Sequence, residues 1–225
     1  VYTCLTDNHM VFLDRKNDRY LCLDNRQAPI VWSYLKNRCC CLETEENPAL
    51  TDMLELLLES GLLTNNPTSG KDISDVCIAP PSREIPGYDP DKKPEKHAIH
   101  IYYFLFSCLT SAIRLRLSSL DLIMRRLEKR TRLYQKTAQK IHKTNLNDLV
   151  EIFKSLRPLV FTSDDNCMFN SLALIEFLSH FNIYPKWVFG VKMGPFIAHC
   201  WVQIDDLALS DSIDHIAAFT PIMAT

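Results

Sequence analysis

Two short apolar runs near the start of the chain, Met10-Val11-Phe12-Leu13 and Arg19-Tyr20-Leu21-Cys22-Leu23, flank the polar stretch Asp14–Asp18 and predict a hairpin, with an earlier strand near Tyr2–Leu5. The period then lengthens. Val31, Tyr34, Leu35 and Arg38 recur at helical spacing and predict a helix over Ala28–Asn37, with Pro29 tolerated in its first turn. A second helix carries its own punctuation: Asn47 as N-cap, Pro48 at the first position, Leu50, Met53, Leu54, Leu57 and Leu58 on one face, and Gly61 as the stop. Strands followed by helices within residues 1–66 predict a small winged-helix-like domain.

From Pro67 to Pro94 the pattern dissolves. Pro67, Pro80, Pro81, Pro86, Pro90 and Pro94 alternate with Ser, Gly, Asp and Lys, so residues 67–97 read as a proline-stiffened linker to a second domain over 98–225. That domain opens with helical patterns. Ala98–Leu117 is apolar enough to be a buried helix. After Ser118 or Ser119, the stripe Leu120, Ile123, Met124 and Leu127 predicts another, with Arg125, Arg126, Lys129 and Arg130 facing water. Thr144 or Asn145 then caps a helix with Leu146, Leu149, Val150 and Phe153 on one face, ended by Pro158.

The last stretch changes character. Ser163-Asp164-Asp165-Asn166 are cap-type residues just before Cys167, and the helix that follows is apolar on nearly every side, as a central helix must be. Lys186–Met193, Pro195–Ile204 and Leu207–Asp211 read as strands, with turns at Gly194-Pro195 and Asp205-Asp206. The whole is an α+β chain whose second domain is mostly helical in its N-terminal part.

Composition narrows the chemistry. The 225 residues hold only 5 Gly, with neither a GxGxxG nor a P-loop pattern, which argues against a Gly-rich phosphate site. The 9 cysteines contain no CxxC pair, so neither a zinc ribbon nor a thioredoxin-like motif is expected, and the Cys39-Cys40-Cys41 run reads as structural. No metal site is expected.

A net charge of −2 conceals a basic middle: +8 over residues 81–160 between two ends of −5 each. Because those charges alternate with core positions and no aromatic stripe is interleaved, they read as a solvated helix face packing on acidic neighbours, and no nucleic-acid partner is expected. The longest apolar stretch, Ala98 to Ile113, is shorter than the ~20 residues that span a bilayer, so no membrane span is expected. No secretory pattern is visible, which makes the cytoplasm the expected compartment and free thiols the expected state of the cysteines.

Cys167 is the candidate nucleophile. At a helix start its sulfur meets unsatisfied backbone N–H groups and the positive end of the macrodipole, which favour the thiolate and could form one arm of an oxyanion hole. Asp164 and Asp165 oppose ionisation if close, so a base is needed, and His199, a polar ring in a buried apolar strand, is the best candidate. On that strand His199 shares a face with Ile197, Trp201 and Gln203. Asp211 can orient the imidazole if the turn register allows it. A three-residue connection sets His199 opposite Asp211, whereas a two-residue turn sets Cys200 there. Cysteine on a helix start, histidine on a strand and aspartate on the next strand is the order of the papain and transglutaminase superfamily.

Three segments carry a closer resemblance: Asp165-Asn166-Cys167-Met168-Phe169-Asn170-Ser171-Leu172-Ala173-Leu174, Tyr184-Pro185-Lys186-Trp187-Val188-Phe189-Gly190-Val191 and Phe196-Ile197-Ala198-His199-Cys200-Trp201-Val202, closed by Phe219-Thr220-Pro221-Ile222. Over about residues 160–225 the chain resembles the B proteins of lasso-peptide biosynthesis, leader peptidases with a transglutaminase-like fold. The first domain separately resembles the PqqD-like peptide-recognition domain fused to many of them.

The resemblance implies that the first domain binds the leader of a ribosomally made precursor as an added strand. Arg19, Tyr20, Leu21, Cys22 and Leu23, with Met53 and Leu57 of the helix, are the matched positions. It further implies hydrolysis after the leader by Cys167, His199 and Asp211, which frees the core amine for a partner macrolactam synthetase, the asparagine-synthetase-like lasso C protein. No intrinsic cofactor is implied, and any ATP dependence would come through that partner. A transglutaminase-type acyl transferase and a non-catalytic peptide adaptor are the alternative functions.

Overall fold

A computed structural model describes residues 1–37, 48–66, 68, 70, 78–85, 95–135, 143–160 and 166–225. The Cys39–Cys41 run, Arg38, the Asn47 cap and the cap-type residues Ser163, Asp164 and Asp165 lie outside them.

The chain begins with three antiparallel strands in the order β1-β2-β3: β1 (Tyr2–Thr6), β2 (His9–Asp14) and β3 (Arg19–Leu23). Asp7 and Asn8, with φ of 46° and 61°, form the two-residue turn between β1 and β2, where Asp and Asn tolerate the left-handed conformation that matches strand twist. Helices α1 (Ala28–Asn37) and α2 (Pro48–Glu59) follow, and Gly61 at φ 71° closes α2.

Both faces of this sheet are used. Period-two alternation sends Met10, Phe12 and Leu23, with Leu5 and Leu21, against Val31, Leu50 and Leu57 of the helices. The opposite face, Cys4, Val11 and Leu13 with Tyr2 and Tyr20, joins the main core of the C-terminal part. Ion pairs frame that contact: Arg15, in the β2–β3 turn, bonds Asp121 at 2.7 Å and Glu128 at 2.8 Å.

The C-terminal part packs helices α3 (Ala98–Leu117), α4 (Leu120–Gln135), α5 (Lys143–Leu156) and α6 (Cys167–Ser179) on a five-stranded sheet. Its strands are β4 (Arg83–Glu84), β5 (Lys186–Lys192), β6 (Ile197–Ile204), β7 (Leu207–Ala208) and β8 (Thr220–Ala224), in the order β4-β7-β6-β5-β8. Helix α7 (Ile213–Ile216) sits between β7 and β8, and α5 stops just before Pro158, which lies in a 3-10 turn over Arg157–Leu159. Helix α6 is central, with Ser171 through Leu178 all buried.

Three expectations need correction. The segment taken as linker is built into the second sheet over residues 78–85. Arg83 and Glu84 pair in parallel with Leu207 and Ala208, Ile85 is a core residue, and Ala79 accepts a hydrogen bond from Gln203 Nε2 at 3.0 Å. Proline there limits the strand to two residues without preventing pairing.

Helix α3 is buried on one side only. Phe104, Ser107, Cys108 and Ser111 face inward, while Tyr102 and Leu109 stay 60% and 59% exposed. The small buried serines let α3 approach α6 closely, and this narrow contact leaves the rest of the apolar surface outside. The helix has 20 residues, and among the described residues it is the one long and apolar enough to cross a membrane by length and composition. Finally, Arg130 does not face water. It bonds the buried Glu176 at 3.0 Å, and Arg114 of α3 binds the other oxygen of that carboxylate.

Candidate active site

Helix α6 starts at Cys167. Asn166 stands at the N-cap position but its side chain makes no capping bond, so it leaves the first-turn N–H groups beside the sulfur to other acceptors. Those groups and the positive end of the helix favour an anion at this point.

His199 lies on β6 directly opposite Gly190 of β5. A Cβ at Gly190 would come within 2.8 Å of the Trp201 ring and 3.0 Å of Phe219 Cβ, so glycine is required for those rings to close in. They hold the imidazole from its own face of the strand, with Phe219 at 5.1 Å and Trp201 at 6.4 Å between centroids.

Asp211 reaches His199 by a route that strand register did not predict. The β6–β7 connection is the two-residue turn Asp205-Asp206, with Asp205 at φ 50°, Ile204 paired with Leu207 and Gln203 with Ala208. Continued, that ladder would set Cys200 opposite Asp211. Instead β7 ends at Ala208. Leu209 N–H bonds Val202 O at 2.8 Å, Ser210 Oγ accepts from Val202 N–H at 2.9 Å, and the chain turns back before α7. Asp211 therefore lies in a bend, not on a strand, and its Oδ2 meets His199 Nε2 at 2.5 Å. With Nε2 occupied, Nδ1 is the ring nitrogen left for Cys167.

Electrostatics complete the arrangement. The neighbouring Cys200 thiol contributes most to lowering Cys167; burial opposes it, and hydrogen bonds from His199 and from the Cys200 backbone N–H bring the thiol down to about 4. Burial disfavours a charged His199, but its bonds to Asp211 and Cys167 outweigh that and lift it to about 9. Cys200 moves the opposite way, because it is fully buried and faces the charge on Cys167. Asp211 stays well ionised despite burial because His199, the Ser212 N–H and His215 all bond it. The result is a thiolate–imidazolium pair at neutral pH, the state in which a cysteine attacks a carbonyl.

Two members of the site were not singled out in the sequence. Cys200, adjacent to His199, supports the Cys167 sulfur. His215 lies one helical turn beyond Asp211, its Nδ1 3.0 Å from Asp211 Oδ2 and its N–H held by the Ser212 cap. The i, i+4 spacing of Asp211 and His215 after a serine was the available signal. His199, Asp211 and His215 offer ligand atoms within 4.8 Å of one another and could hold a metal ion. The same atoms already satisfy one another by hydrogen bonding.

The positions matched to leader binding divide. β3 has a partner only on its β2 side, so its outer backbone edge is open among the described strands. Arg19 and Cys22 are exposed and Tyr20, Leu21 and Met53 half-buried. The Leu23 and Leu57 side chains are buried in the core between sheet and helices.

A model of the transglutaminase-like superfamily matches residues 107–224, from within α3 to the end of β8. No curated protein and no solved structure gives a significant match. The matched region holds Cys167, His199 and Asp211 and leaves the N-terminal sheet outside it. The superfamily includes cysteine peptidases and acyltransferases, and an ionised cysteine beside an aspartate-bound histidine is chemistry that suits either. Since the matched segment is more than half of the 225 residues, the chain belongs to the transglutaminase-like superfamily.

Proposed function

We propose that this protein is a cysteine endopeptidase that removes the leader from a ribosomally made precursor, in the manner of the lasso-peptide B proteins. The observation that carries the reading is the His199–Asp211 pair, bonded at 2.5 Å, with Cys167 at the start of α6 and its thiol held low in part by that imidazole. The Cys167 thiolate adds to the scissile carbonyl carbon as the π pair moves to oxygen. Collapse then expels the amine, which takes the proton from His199. His199 next removes a proton from water, whose oxygen displaces the thiolate from the thioester. Asp211 holds the ring in place through both transfers.

The open edge of β3 favours leader recognition. An extended peptide can add there by main-chain hydrogen bonds, in the role of a PqqD-like domain, on a sheet already packed against the catalytic part. In this reading the freed core amine goes to a lasso C protein, any ATP is consumed by that partner, and the work is done in the cytoplasm.

Incubating the protein with the product of a short precursor gene found beside its own tests the reading. Cys167→Ala should abolish release of the leader while binding stays intact, and mass spectrometry should find hydrolysed products. A cross-linked product of acyl transfer to an amine would favour the transferase instead. Alkylation of Cys167 by iodoacetamide no faster than that of Cys200 would favour a non-catalytic adaptor.

A further inference from the structure

The Asp211 carboxylate is only as fixed as the backbone that carries it. β7 ends at Ala208, and after Leu209 and Ser210 tie to Val202 no ladder continues into the bend. The bonds within the bend are local. Asp211 Oδ1 accepts from Ser212 N–H at 2.8 Å, Ser212 Oγ from His215 N–H at 3.3 Å, and Ser212 O from Ile216 N–H at 3.1 Å. Such bonds shape a turn without placing it. Among the described residues, the backbone of the bend is tied to another strand at Ile213, whose N–H donates to Glu84 Oε2 at 2.6 Å. That N–H opens α7 and finds no acceptor within the helix, so a carboxylate is a strong partner for it.

Glu84 is itself held. It lies on β4, paired in parallel with Ala208 at the end of β7, and Ile85 N–H donates to Ala208 O at 3.1 Å. Just before it, Ser82 and Arg83 grip Asp206 of the β6–β7 turn. Both backbone N–H groups donate to Asp206 O, while Arg83 Nε and Ser82 Oγ donate to Asp206 Oδ2 at 2.9 and 2.8 Å. Residues 82–85 therefore clasp the turn that precedes Asp211 and the helix that follows it. Glu84 is exposed, so truncating its side chain opens no cavity in the core.

We propose that Glu84 is a positioning residue for the catalytic machinery: by accepting the Ile213 N–H it holds the bend where the Asp211 carboxylate meets His199. Glu84 acts through Asp211 and touches none of the reacting atoms. A segment that reads in sequence as linker thus helps to set the active site. This inference rests on the catalytic reading of Cys167, His199 and Asp211.

The titration of His199, followed by NMR in the full chain labelled with ¹⁵N-histidine, tests it. Cys167, Asp211 and His215 face His199, and Lys154 is close enough to feel the Asp211 charge; all four stay in every variant. Glu84→Ala removes the acceptor, and Ile213→Pro removes the donor at a first helical position that proline tolerates. Each should weaken proton binding at His199 by about tenfold or more, as the bond from His199 to Asp211 loosens. The double variant should go no further than either alone, because the two changes cut one bond. Glu84→Gln keeps an oxygen acceptor of the same reach without the charge, and should stay within about twofold of the unaltered protein.

An unmoved titration in Glu84→Ala would overturn the proposal. So would a Glu84→Gln variant that falls as far as Glu84→Ala, which marks an effect of charge and not of position. Ile213→Pro leaving His199 unmoved while Glu84→Ala lowers it would overturn it as well, since the bond would not be the cause. The catalytic reading fails on a different measurement, alkylation of Cys167 by iodoacetamide no faster than that of Cys200 in the unaltered protein. That result needs no Glu84 variant and leaves the His199 titrations readable.

Discussion

The N-terminal sheet runs its ladders without interruption, from Tyr2 opposite Leu13 to Thr6 opposite His9 and from Met10 opposite Leu23 to Asp14 opposite Arg19. The C-terminal sheet breaks its ladders twice, by a register shift at Phe189/Gly190 on the β8 side and by the end of β7 after Ala208. Both breaks bear on His199: Gly190 lies opposite it, and the chain released beyond Ala208 brings Asp211 to it. A continuous antiparallel ladder pairs the backbone groups that neighbouring strands turn toward each other and alternates side chains strictly, so it builds a platform. Where it breaks, the backbone can carry one side chain across to another element, and here the reactive groups gather at those breaks.

The largest effect should come from removing what the second break delivers. Asp211→Asn should lower kcat by about 10³-fold, as loss of the residue that orients a catalytic histidine does elsewhere. The pH profile sharpens this test. In the unaltered protein, activity should hold between about 4, below which Cys167 takes up a proton, and about 9, above which His199 loses one. Because the bond to Asp211 is the chief cause raising His199, the variant's alkaline limb should move down toward the ordinary histidine value of 6.5. An unmoved limb would show that Asp211 does not govern the ring.

The two-faced platform can be tested with adjacent residues. Phe12→Ala opens the helix-side core and Leu13→Ala the side shared with α6, and each should cost about 3 kcal/mol in urea unfolding. Turnover should separate them. Leu13 packs in the core that α6 shares, so its loss should slow cleavage where the loss of Phe12 does not. Equal effects on turnover would break the distinction between the faces.

A smaller cost, about 1–3 kcal/mol, is expected for Gly190→Ala, since its methyl would force Trp201 and Phe219 aside. Slower alkylation of Cys167 should accompany it if those rings set the imidazole. The smallest effect is reserved for His215→Asn. His215 shares Asp211 Oδ2 with His199 but from a half-exposed position and at 3.0 Å, so a fall in kcat of only about two- to fivefold is expected.

The elements of the first unit were legible because their signals are local. Alternation, the Asp7-Asn8 turn and the Pro48 and Gly61 boundaries each act within a few residues, and β3, α1 and α3 lie where the pattern set them. Cys167 and His199 were also legible, the first by its place at a helix start and the second as a polar ring in an apolar strand. What misled was burial and register. The apolar length of α3 does not state how wide its contact with α6 is, and the charge of Arg130 does not reveal that a buried Glu176 awaits it. Residues 78–85 look like linker because proline and serine obscure a strand only two residues long, which needs the β7 edge to form.

By itself, then, the amino-acid order determined the helices, the strands, their amphipathic faces and the candidates for a nucleophile and a base, since these follow from periodicity and side-chain chemistry along a few turns of chain. The tertiary structure decided which groups meet. Ending β7 at Ala208 brought Asp211 to His199, burial of Cys200 beside Cys167 separated the fates of two like thiols, and docking of the first sheet on the second unit merged Cys4, Val11 and Leu13 into one core with α6. Those outcomes depend on contacts between residues far apart in sequence, such as the hydrogen bond from Thr220 to Thr6, 214 positions away, and on the desolvation that packing imposes, neither of which a local pattern encodes.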